Sequence, residues 1–61
     1  MVNLTTKELS AIQDHLAVEE NVIRKYKMYA QTAQDSQIRQ KCEEIANMHQ
    51  AHFNTLMGHL G

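Results

Sequence analysis

Three side chains in this 61-residue chain have types and spacings that suit metal chemistry: Glu19, His49 and His52. His49 and His52 stand three apart, a spacing at which two helical side chains reach a common point. Each of the three occupies a place on an apolar heptad seam where leucine or isoleucine would stabilise more. In an antiparallel hairpin turning at about residue 35, both helices rise equally per residue, so residue numbers at one level sum to about 70. Glu19 then lies opposite residue 51, between the two histidines, and one carboxylate and two imidazoles share a layer. Imidazole favours zinc, copper, iron or nickel, and the carboxylate supplies charge. The same layer also makes sense without an ion. A buried carboxylate hydrogen-bonded to histidines costs stability but fixes register and partner.

The elements that hold this layer follow from the rest of the sequence. There is no proline, and both glycines, Gly58 and Gly61, fall in the last turn or beyond it. Helix is therefore uninterrupted from about Thr6 to His59 except across the polar stretch Gln31 to Gln37. Thr5 with Glu8 three positions later is a capping box, and Asp35 and Ser36 are good N-cap residues for a second helix. The spacing predicts an all-α chain, a single-domain antiparallel hairpin over residues 1–61 with helices at about 6–34 and 36–59.

Leu9, Ile12, Leu16, Glu19, Ile23, Tyr26, Ala30 and Ala33 alternate steps of three and four, a seam widened by Val22 and Tyr29. Ile38, Cys42, Ile45, His49, His52, Leu56 and His59 repeat the rhythm, flanked by Ala46, Phe53 and Leu60. Helices of about 29 and 24 residues are roughly 43 and 36 Å long, so the hairpin is a slender rod. Each helix covers one side of the other, and the widened stripes exceed what one partner shields. A second hairpin should pack against the first, giving a homodimeric four-helix bundle with two-fold symmetry as the simplest closure.

Composition points the same way. A chain this short buries a small fraction of its surface and needs a disulfide, a metal or a partner. The lone Cys42 cannot form an internal bridge, and its seam position suits a small buried hydrophobe. Six basic and seven acidic residues give a net charge of -1, which attracts neither nucleic acid nor an anionic membrane. Arg24, Lys25, Lys27, Arg39 and Lys41 gather toward the turn beside Glu43 and Glu44, as on a solvated face. Met1 to Lys7 lacks the apolar core of a secretory signal and no apolar run is long enough to span a bilayer, so an intracellular protein is expected.

His15 reads as a half-exposed flank residue, His59 as a favourable charge near a helix C-terminus, and Tyr26 and Tyr29 as core aromatics. No nucleophile pattern, phosphate loop or dinucleotide fingerprint is present, so no enzyme is expected; any activity would run through the metal layer.

The segments LTTKEL (Leu4 to Leu9), VEENVIRKYKMY (Val18 to Tyr29), KCEEIA (Lys41 to Ala46) and HQAHFNTL (His49 to Leu56) resemble small spore coat proteins of spore-forming Firmicutes, related to the coat protein F family. The resemblance implies a ferritin-like four-helix architecture and a structural or assembly role. It also implies a place in the spore coat or mother cell and other coat proteins as partners. Ferritin-like di-iron proteins draw a glutamate from each of two helices and a Glu-x-x-His pair from each of the other two. Glu19 matches the first and His52 the histidine of the second, but His49 stands where the paired glutamate belongs, and Ala46 stands three before His49. The second carboxylate is missing, which puts di-iron oxidase chemistry in doubt and leans the donor set toward zinc, copper or nickel.

Overall fold

The computed structural model describes residues 4–60: two α-helices joined by a short turn, with no strand among the described residues. Residues 1–3 and 61, over which the single-domain expectation and part of the amino-terminal reading run, lie outside them.

Helix α1 spans Thr6–Thr32. The first N–H groups of a helix have no helical acceptor, and here the capping box forms in full. Glu8 N–H donates to Thr5 Oγ1 at 3.1 Å, and Thr5 N–H donates to Glu8 Oε1 at 3.0 Å. These Thr5 bonds hold the Glu8 carboxyl below its ordinary pKa. The helix stops two residues before the expected end. Ala33 turns extended (φ -66°, ψ 135°) while its N–H still donates to Tyr29 O at 2.9 Å. The next helix claims the residues that follow: Asp35 Oδ1 accepts from Gln37 N–H at 2.8 Å and Ile38 N–H at 3.2 Å, which requires the chain to leave α1 first. Ala33, expected at the end of the seam, therefore belongs to the turn, where its carbonyl accepts from Arg39 Nη1 at 3.4 Å.

Helix α2 spans Ser36–Gly58, with Asp35 as its cap and His59 just past its end, where His59 N–H donates to Leu56 O at 3.0 Å. The hairpin measures 46 × 16 × 10 Å between its Cα extremes, the slender rod that the helix lengths predict. Its buried apolar side chains are Leu16, Ile23, Cys42 and Ala46, and no large side chain is fully enclosed among the described residues.

The seam is nearly as expected on α1 but rotated on α2. Ala46, only 2% exposed, is the most deeply buried residue of α2, with Cys42 also buried and His49, Phe53 and Leu56 half-buried along the same helix. A side chain as small as that of Ala46 suits the most enclosed position of the interface. Ile38 and His52, expected on the seam, fall on its flank and are 54% and 56% exposed respectively, the second value for the side chain. Leu9 and Tyr29 are likewise exposed, because one helix cannot shield a stripe of that width. No described helix is long and apolar enough to cross a membrane.

Candidate metal centre

Glu19 is the middle residue of α1, and its carboxylate enters the seam where α2 offers imidazoles instead of aliphatic side chains. It is 6% exposed, the one buried charged residue among those described. Placing a carboxylate there costs free energy unless partners replace water, and the two oxygens divide the partners between them. Oε2 accepts from His49 Nδ1 at 2.8 Å, with His52 Nδ1 at 3.9 Å from the same oxygen. Oε1 accepts from His15 Nε2 at 3.2 Å, one turn earlier on α1. Every buried side-chain N or O atom described has a hydrogen-bond partner. A carboxylate only accepts, so these contacts put a proton on Nδ1 of His49 and on Nε2 of His15. The His49 hydrogen bond holds the Glu19 carboxyl below its ordinary pKa, outweighing the opposing effect of burial. The His15 bond and the charges of His49 and His52 add to the lowering.

The sequence places Glu19, His49 and His52 in one layer, and the structure brings them together. One ligand atom from each lies within 4.8 Å of the others. The two imidazoles meet edge to face, ring centroids 5.5 Å apart at 81°. Donor atoms around a tetrahedral zinc-sized ion are roughly 3.3 Å apart, a value that the 2.8 and 3.9 Å separations bracket. Modest side-chain rotation would close the three groups on one ion, for which His49 would have to present Nδ1 as a lone pair and carry its N–H on Nε2 instead.

No family model, curated protein or solved structure matches the chain. Its function is therefore read from its own residues.

His15 is the participant that sequence reading passes over. Taken as a flank residue, it is 57% exposed at its side chain yet fastens the far oxygen of Glu19. The signal was its i, i+4 spacing to Glu19, which puts two side chains on one helical face. The other residues singled out stand apart from the cluster. Cys42 is buried and free, as its seam position predicts, and His59 is exposed past the end of α2. Tyr26 and Tyr29 pack edge to face at 5.7 Å, with Tyr26 half-buried and Tyr29 exposed. The arrangement does not fit a di-iron carboxylate centre. The hairpin brings one carboxylate to the layer, and buried Ala46 and half-buried His49 occupy the places where the pattern needs more.

Proposed function

We propose that this chain is a metal-binding helical hairpin that works as an assembled pair, with Glu19, His49 and His52 as the protein ligands of a transition metal. The observation that carries the reading is the convergence of two imidazoles on a buried carboxylate whose pKa is lowered. Two nitrogens and one oxygen suit zinc, copper, nickel or iron, and three ligands from one chain leave a coordination position open. The role assigned is binding of the ion by these three side chains.

The experiment is native mass spectrometry of protein purified without chelator, paired with thermal melts in excess chelator. A metal mass at fixed stoichiometry and a melting temperature lowered by chelator are expected, because an ion bound only by the folded state stabilises it. No retained metal and an unchanged melt would sink the proposal.

A second reading is a metal-free assembly protein of the spore-coat kind, a homodimeric four-helix bundle whose polar layer sets register. It is favoured by the complete hydrogen bonding of the layer and by the exposed Leu9, Tyr29 and Ile38, which a second hairpin would cover. A metal-free dimer in the same spectrum would select it. Coat proteins as further partners, and a spore or mother-cell location, belong to this reading and rest on the sequence resemblance alone.

A further inference from the structure

The hairpin has two unlike long faces. On one, shallow grooves lined by Ile23, Phe53 and Ala46 are edged by the charged Glu20, Arg24, Lys27 and Glu43. On the other, heptad spacing aligns His15, Val22 and Tyr29 along α1 and Ile38, Ile45 and His52 along α2. In the register that the Glu19 contact to His49 sets, these six make three cross-helix rungs: His15 with His52, Val22 with Ile45, and Tyr29 with Ile38. The middle rung is half-buried and the other two are exposed. None of the six is Asp, Glu, Lys or Arg.

We infer that a second copy of this chain covers this face with its turn at the same end, so that the two His15/His52 rungs meet and the metal is held between two chains. The inference rests on the metal-binding reading. A face 46 by 16 Å between Cα extremes is roughly 700 Å² in projection, close to the ~800 Å² per partner of a stable protein interface. Covering it would supplement a core that holds only four buried apolar side chains among the described residues.

The direction of pairing follows from how the rungs are ordered. The two nearest the turn are apolar, the third is imidazole, and Glu8 and His59 fall at the next level beyond it. Same-end pairing stacks apolar on apolar and imidazole on imidazole. Opposite-end pairing would press Tyr29 and Ile38 against Glu8 and His59, desolvating polar groups without partners. Same-end pairing also completes the centre. An imidazole from the second copy's His15 or His52 fills the position that three ligands leave open on a tetrahedral ion.

The test is zinc titration against a competing chromophoric chelator over a range of protein concentrations, with sedimentation counting the copies. Zinc affinity should rise at least tenfold as monomer gives way to dimer. Val22→Glu with Ile45→Glu, which leaves every ligand in place, should give a monomer that binds zinc at least tenfold more weakly, its helicity checked by circular dichroism. If that variant does not fold, the wild-type concentration series decides. An affinity that is the same for monomer and dimer, or for the double variant and the parent, overturns the shared centre while leaving metal binding standing, whereas no zinc binding at any concentration overturns both. Register is read by energy transfer between fluorophores on Gln34→Cys in a Cys42→Ser background. Efficient transfer between copies is expected, since same-end turns lie within about 20 Å. Transfer no stronger than a separation of one rod length, 46 Å, gives would overturn the same-end register.

Discussion

Glu19 and His49, thirty residues apart in sequence, meet at 2.8 Å across the hairpin. That contact fixes the register of the two helices. Sliding one past the other by a single turn, about 5.4 Å, would strand a buried carboxylate without its main partner. The acid side of the stability profile should report this directly. A carboxyl whose folded pKa is depressed contributes stability that is fully present above its unfolded value and is lost as pH falls through the folded one. Glu19 and Glu8 are both depressed, so stability should fall from the ordinary glutamate range downward. Chemical denaturation at a series of pH values checks this, and Glu19→Gln should flatten the acid limb. A Gln variant with the same acid limb as the parent would separate Glu19 from the effect.

The two caps should be separately measurable. Thr5 and Asp35 each satisfy N–H groups that the helix start leaves open. Thr5→Ala and Asp35→Ala should each cost about 1 kcal/mol, read as a lower denaturation midpoint at unchanged slope. Asp35→Ala should have the wider structural effect, because Asp35 both starts α2 and ends the turn.

The small core gives a paired test of packing. Leu16→Ala removes one of the few buried apolar side chains and should cost about 2–4 kcal/mol. Ala46→Leu should also destabilise, by about 1–3 kcal/mol, because Ala46 is enclosed on nearly all sides and a larger side chain must push its neighbours apart. If Ala46→Leu were neutral or stabilising in calorimetric melts, the close enclosure of that residue would be refuted.

Much of this was legible in the sequence because its signals are local. Thr5 with Glu8, and Asp35 before an apolar stripe, mark helix starts through side chain to backbone bonds spanning two or three residues. The shared layer of Glu19, His49 and His52 was legible because helical rise ties level to residue number once the turn is located. The rotation of α2 was not. Heptad counting assigns Ile38 and His52 to the seam by spacing, but the buried stripe of α2 runs through Cys42 and Ala46, and which stripe approaches α1 depends on packing both helices together. His15 escaped for a related reason: its spacing to Glu19 was visible, but its role required knowing that Glu19 has one oxygen turned away from α2.

Replacing Glu19, His49 and His52 together by leucine separates a layer that stabilises through a metal from one that only specifies. Removing every member of a buried polar set, unlike removing one, leaves no uncompensated charge behind. The metal-free triple variant should therefore melt at or above the temperature of the metal-free parent. The metal-loaded parent should melt above its own chelated form, and the variant should show no difference between the two conditions. Calorimetry of both proteins with and without excess chelator provides the four curves. A variant that keeps the parent's sensitivity to chelator would move the metal away from Glu19, His49 and His52. A metal-free variant far less stable than the metal-free parent would mean that the hydrogen bonds of the layer contribute more than leucine packing can replace.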